Sequence, residues 1–194
     1  MTTLGEATAV KAATSADKLR CWKMMVTLRA YDERAVVLQR HGRIGAYPLF
    51  WGEEAIQAAA VTAVRESDWL FISYRQNAIP VLRGLPPEQA LAYFRGDPQS
   101  FFDPALYRCA PQCVPLATHL PHAVGWAMGR RLQGSDSVGL GMAQLPQAAV
   151  QPPQVLGKQC LAHRRPARRR LRAGPGGYSL ALICCRFQHL EGPW

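Results

Sequence analysis

No acidic residue stands between Asp136 and Glu191 of this 194-residue chain. That absence divides the charge unevenly. Residues 1–140 hold 15 Lys/Arg against 12 Asp/Glu, a net of +3, and residues 141–194 hold 8 against 1, a net of +7. The overall balance of +10 therefore describes a tail, not a basic domain face, and it argues against a nucleic-acid-binding domain. No apolar run approaches the roughly 20 residues of a membrane span. The N-terminus lacks an apolar h-region and carries Glu6 and Asp17, which argues against a secretory or transit peptide. Six cysteines in a chain of this length give no disulfide scaffold, so a reducing, cytoplasmic setting is the expectation.

What is present reads as one domain with flanks. Residues 1–14 are mostly small and read as a flexible leader. A long helix is predicted from a cap at Ser15 or Asp17, with Met24, Leu28, Tyr31, Ala35 and Leu38 on one apolar face and Gly42 as its stop signal. RIGAYPLFWG, residues 43–52, reads as a shaped loop. Residues 53–64 are rich in helix formers, with carboxylates in the first turn. WLFIS, residues 69–73, suits a buried strand or extended segment. Short helices are expected over residues 77–83 and from Pro86–Pro87 to Gly96, then irregular chain to residue 112. A helical pattern returns over residues 116–132, where Gly125 and Gly129 would let another backbone approach closely. Beyond Ser137 no periodicity persists.

Three features could carry chemistry. Ser73-Tyr74-Arg75 follows the apolar run, and a phenol beside a guanidinium suits phosphate or carboxylate oxygens. Taken alone, such a pair is most often a solvated arginine beside a half-buried tyrosine. Cys109 and Cys113 precede His119 and His122, which invites a zinc reading. Only five residues separate Cys113 from His119, too few for a finger, and buried apolar cysteines are the plainer account. The arginine run from Arg164 to Arg172 could hold phosphates by charge alone, but no aromatic accompanies it.

Taken in order, QRHGRIGAYPLFWGEEAIQAAAV, DWLFISYRQNA, RGLPPEQALAYFRGD and CVPLATHLPHAVGWAMGRRLQGSDSV resemble the N-terminal half of the alpha subunit of a thiamine-diphosphate-dependent 2-oxo-acid dehydrogenase, from Lys18 to Val138. The resemblance implies an incomplete α/β thiamine-diphosphate-binding fold, mostly helical in the part present. That part would span residues 15–138, with an irregular, non-homologous tail over residues 139–194. It implies an α2β2 assembly with a beta subunit and transfer of an acyl group to the lipoyl arm of an acyltransferase. The cofactor's carbanion would attack a 2-oxo acid and carbon dioxide would leave. The substrate would be pyruvate or a branched-chain 2-oxo acid, with a lean to the branched-chain or mixed type.

Residue by residue, the resemblance gives Tyr74 and Arg75 the diphosphate. It sets Val114 and Leu116 against the aminopyrimidine, with Pro115 shaping the loop, and puts Phe50 in a loop facing substrate. Cys113, Thr118 and His119 stand where many relatives place serine, threonine and glutamine around a monovalent cation, and thiol and imidazole suit a hard cation poorly. After Val138 the family continues with a buried strand and a Gly-Asp-Gly motif, then an asparagine, and the aspartate and asparagine hold magnesium. Here the chain reads GLGMAQLPQAAVQPPQVLGKQC, so the magnesium ligands and the core strands are expected to be missing. The coincidence of lost resemblance with an abrupt turn to Arg, Pro and Gly suggests a reading-frame shift near codon 138. Translating the downstream DNA in the other two frames tests it. A non-catalytic fragment that caps a beta subunit and a small zinc- or nucleic-acid-binding module are the two rival readings.

Overall fold

Thr14 starts the first helix. In the computed structural model, which describes residues 13–145, 169–172 and 179–185, its hydroxyl accepts from the Asp17 backbone N–H at 3.1 Å, and Asp17 returns a bond to the Thr14 N–H at 3.0 Å. This capping box satisfies two end donors of helix α1, Ser15–Arg40, one residue ahead of the expected caps, with Asp17 as the reciprocal partner. Helix α1 buries Leu28, Tyr31 and Ala35 as its spacing predicts, and it also buries Asp32. Gly42 takes φ +66 just beyond its end.

Helix α2, Glu54–Ala63, packs against α1. Strand β1, Trp69–Phe71, follows, then a 3-10 turn at Tyr74–Gln76 and the short helices α3, Ile79–Leu82, and α4, Pro87–Tyr93. Residues 97–112 are largely irregular, as expected, apart from a 3-10 turn at Pro98–Ser100 and one helical turn, α5, at Pro104–Tyr107. Helix α6, His119–Leu132, lies on β1 and on strand β2, Gly139–Leu145. Strands β3, Arg169–Arg172, and β4, Ser179–Cys185, complete a sheet of order β1-β2-β4-β3. Strands β1 and β2 are parallel, and the other two pairings are antiparallel.

The tail thus departs from its expected irregularity. Strand β2 begins one residue after Val138 and pairs Trp69 with Gly139, Leu70 with Leu140 and Phe71 with Gly141. A core strand expected to be missing is present. The reason it escapes a periodicity test is physical: residues 139–142 are all buried, so no polar face alternates with an apolar one. Gly139 is where two backbones come close, since a Cβ there would meet the Ala123 carbonyl oxygen at 3.1 Å. Gly125 and Gly129, expected to serve that purpose, have nothing within 4 Å of such a Cβ. The leader lies outside the described residues except for residues 13 and 14, as does the arginine run except for residues 169–172.

Two apolar clusters hold these elements. Ile56, Val61, Leu70, Ile72, Ile79 and Met142 join α2, β1, α3 and β2. Leu28, Tyr31, Tyr47, Phe50, Leu85 and Ala90 join α1, the residue 43–52 loop and α4. Trp126 on α6 stacks over β1 with its ring 5.4 Å from Trp69 and 6.1 Å from Phe71. Among the described residues no helix is long and apolar enough to cross a membrane.

Candidate functional site

Backbone pairing on the far side of β1 builds the site. Residues 108–113 run beside β1 in parallel, with bonds from Leu70 N–H to the Arg108 carbonyl at 3.0 Å, from Ala110 N–H to Leu70 at 2.8 Å and from Cys113 N–H to Ile72 at 3.2 Å. The last bond, from Tyr74 N–H to the Cys113 carbonyl at 3.1 Å, joins the Tyr74-Arg75 corner to the start of the Val114–His119 loop. Two motifs some forty residues apart therefore meet at one end of the strand.

At this corner Ser73 caps the 3-10 turn together with Gln76, whose Oε1 accepts from the Ser73 N–H at 3.1 Å and hydroxyl at 2.7 Å. The Arg75 guanidinium lies 5.4 Å from the Tyr74 ring centroid and donates through Nη1 to the Leu49 carbonyl at 2.8 Å. It makes no ion pair among the described residues. Burial pushes the nearby Glu53 carboxyl above its ordinary range, against the opposing pull of Arg75 and Gln76. Three buried amide atoms lack a hydrogen-bond partner here: Gln57 Oε1, Gln76 Nε2 and Asn77 Oδ1. Gln57 reaches the Arg75 carbonyl with its other end at 3.4 Å, and Asn77 reaches Tyr74 at 3.0 Å. With one carbonyl partner and no ion pair among the described residues, the Arg75 guanidinium keeps donors for an anion, whereas Gln57 Oε1 and Asn77 Oδ1 can only accept.

The residue 43–52 loop is pinned from below by two carboxylates. Asp32 accepts from the Tyr47 hydroxyl at 2.9 Å and from the Phe50 N–H at 3.2 Å. Glu54 binds Arg29 at 2.6 Å and the Gly52 N–H at 3.0 Å. Burial raises the Asp32 carboxyl, while the Tyr47 and Phe50 donors pull it back. Phe50, expected in the loop that faces substrate, turns its own ring into the core: it is 1% exposed and stacks on Tyr31 at 6.4 Å. Leu49 and Trp51, at 47% and 72%, are the side chains this loop presents outward.

In the second loop Val114 and Leu116 are exposed at 61% and 63%. Ala117 takes φ +64, a conformation that side chains rarely adopt, and the turn closes with Thr118 N–H on the Pro115 carbonyl at 3.4 Å. His119 turns inward, 1% exposed, and its Nε2–H donates to the Met142 carbonyl of β2 at 2.5 Å. Burial lowers its pKa. Cys109 is fully buried in the core and its thiol is pushed up to about 12, while Cys113 is half-buried. Among the described residues no three His, Cys, Asp or Glu side chains gather as a metal site. The Cys/His zinc arrangement is not assembled there: Cys109 belongs to the core and His119 holds β2.

Asp32, Glu54, Gln57 and Gln76 are the positioning residues that sequence reasoning passed over. Asp32 had a readable signal, a carboxylate four residues from Leu28 on the apolar face of α1. Glu54 was legible only as a first-turn acid, and nothing local marks the two glutamines.

Comparison with known proteins bears on the same stretch. A family model described as "Dehydrogenase E1 component" matches residues 22–143. The chain is 38% identical over 117 residues to the 3-methyl-2-oxobutanoate dehydrogenase subunit alpha of Mycobacterium tuberculosis (strain ATCC 25618 / H37Rv), covering 60% of this chain and 32% of that one. It is 33% identical over 119 residues to the pyruvate dehydrogenase E1 component subunit alpha of Bacillus cereus, covering 61% and 32%. Against the corresponding Mycoplasma genitalium subunit it is 30% identical over 102 residues, covering 53% and 28%. The chain spans about a third of the length of these curated relatives.

Proposed function

The chain belongs to the dehydrogenase E1 component family, and from that premise we propose that residues 15–138 are the diphosphate-gripping part of a 2-oxo-acid dehydrogenase alpha subunit, within a thiamine-diphosphate-type α/β fold. The observation that carries this reading is the Tyr74-Arg75 corner: a guanidinium with a single carbonyl partner and no ion pair among the described residues, at the end of a core strand. Arg75 and Tyr74 hold the diphosphate oxygens. Val114 and Leu116, both exposed, give the aminopyrimidine an apolar wall. Phe50 anchors the substrate-side loop from beneath and so sets Leu49 and Trp51 outward. Thiamine diphosphate, held here, would supply the nucleophilic carbon for decarboxylating a 2-oxo acid, and the lipoyl disulfide of a partner acyltransferase would be both oxidant and acyl acceptor, in an assembly with a beta subunit. A branched-chain or mixed 2-oxo acid is favoured by the higher identity to the 3-methyl-2-oxobutanoate relative, 38% against 33% and 30%.

The residues present do not fit the magnesium that accompanies this cofactor. No carboxylate lies between Asp136 and Glu191, and magnesium requires oxygen ligands in near-octahedral geometry. At the monovalent-cation position Cys113, Thr118 and His119 offer one oxygen side chain, and His119 acts as a strut to β2. The chain is therefore a fragment by function, with the diphosphate grip and without the metal that completes it. The family match extends to residue 143, inside β2, and a reading-frame shift near codon 138 stays our proposal for the tail.

Isothermal titration of the full chain with thiamine diphosphate, beside a beta subunit, with and without magnesium, tests this reading. Weak binding that magnesium does not improve is expected. Tight, magnesium-dependent binding would contradict it.

A further inference from the structure

Arg83 ends helix α3, with its backbone N–H on the Ile79 and Pro80 carbonyls at 3.2 and 3.0 Å. Its side chain is half-buried. Nε and Nη2 are buried with no hydrogen-bond partner, and no carboxylate lies within ion-pair distance among the described residues. Arg29 and Arg65, by contrast, are each matched to an acid. A guanidinium does not discharge to relieve such a position, so its charge calls for a counter-charge.

A cleft of about 540 Å³ is lined by Arg83 together with Arg20 of α1 and Arg108 beyond α5. Glu66 is the one carboxylate among its lining residues, and Leu82 and Tyr107 supply apolar wall. Arg108 takes φ +49, rare for a side-chain-bearing residue. Its N–H bonds to the Pro104 carbonyl and its own carbonyl accepts from Leu70 at 3.0 Å, so the backbone is fixed where the residue lines the cleft. Three arginines from three separate segments thus line one concavity with one acid. The volume falls in the range of small-molecule sites.

We infer that this cleft binds a small, multiply charged oxyanion, a phosphate ester or a polycarboxylate, through Arg20, Arg83 and Arg108. It shares no residue with the Tyr74-Arg75 corner. Removing an unpartnered half-buried charge relieves the protein, whereas the anion stabilises it only while that charge remains.

The test is thermal unfolding and isothermal titration of the full chain with inorganic phosphate and with citrate, against sodium chloride at equal ionic strength. At least one of the two anions should raise the unfolding midpoint beyond the salt control, and which one does so assigns the ligand to phosphate or carboxylate chemistry. Arg83→Met should raise the midpoint of the anion-free chain, abolish the anion-induced rise and weaken binding about tenfold or more. Arg108→Gly, which adopts a positive φ without strain, should keep the fold and weaken binding less. All arms are run in the Arg75→Met background, so that phosphate held at the diphosphate corner makes no contribution. The inference is overturned if neither anion exceeds the salt control in that background, or if the rise survives Arg83→Met.

Discussion

Arg65 and Arg75 flank the same short strand and are used in opposite ways. Arg65 is saturated: Nε and Nη2 meet Asp68 at 3.2 and 2.9 Å, Nη1 meets the Asp136 carboxylate at 2.7 Å, and Nη2 also reaches the Asp136 carbonyl at 2.9 Å. Asp68 in turn accepts from the Val138 N–H at 2.8 Å, and the Trp69 N–H bonds to the Val138 carbonyl at 2.9 Å. This clasp fixes the register of β1 on β2. Burial alone would push Asp68 up, but the Arg65 side chain and the Val138 and Arg65 N–H donors together hold it below the ordinary carboxylate range. Arg75 has one carbonyl partner and no ion pair among the described residues. A saturated arginine serves architecture, and an unsaturated one at a strand end is available to a ligand.

The contrast can be broken first at the clasp. Asp68→Ala leaves the part-buried Val138 N–H without its acceptor and should cost about 2 kcal/mol of stability, read by chemical denaturation. Loss of diphosphate binding should follow only through unfolding. At the other end, Arg75→Met should leave the unfolding midpoint nearly unchanged while weakening thiamine diphosphate binding about tenfold or more, read by titration. Between the two loops of the site, Ala117→Gly removes the strain of φ +64 and should stabilise the chain by about 1 kcal/mol.

The smallest effect sharpens the link from site to sheet. Burial holds the His119 imidazole below its ordinary value, with His122 adding repulsion and the Met142 carbonyl opposing both. A base depressed in the folded state contributes its full stability above the unfolded value of about 6.5 and loses it as pH falls through the lower folded value. Wild-type chain should therefore lose stability as pH falls below the ordinary imidazole value of about 6.5. His119→Gln keeps a donor for Met142 and should flatten that part of the profile. Midpoints measured across the range check this, and an unchanged acid slope would place the titration elsewhere.

Much of the helical layer was legible in the sequence because its signals are local. The Leu28, Tyr31, Ala35 stripe, the alanine-rich run of α2 and the prolines opening α4 each report on neighbours three or four residues away. The start of strand β2 was not legible, because residues 139–142, glycine and apolar and all buried, leave no alternation to read. Nor was the pairing of residues 108–113 with β1, which depends on contacts far apart in sequence and on backbone atoms, where composition says nothing. For the site, the Tyr74-Arg75 pair was readable from its residue types. The inward turn of Phe50 was not, since it follows from Asp32 seizing the Phe50 N–H and from Tyr31 receiving the ring.

Separating Arg75 from Arg83, the two arginines assigned to ligands, tests the account most directly. Thiamine diphosphate is titrated into the full chain, into Arg83→Met and into Arg83→Met/Arg75→Met, so that the arginine cleft makes no contribution to the comparison. The account predicts that Arg83→Met retains binding and that adding Arg75→Met weakens it about tenfold or more. Equal affinity in the single and double variants would contradict the assignment of Arg75 to the diphosphate.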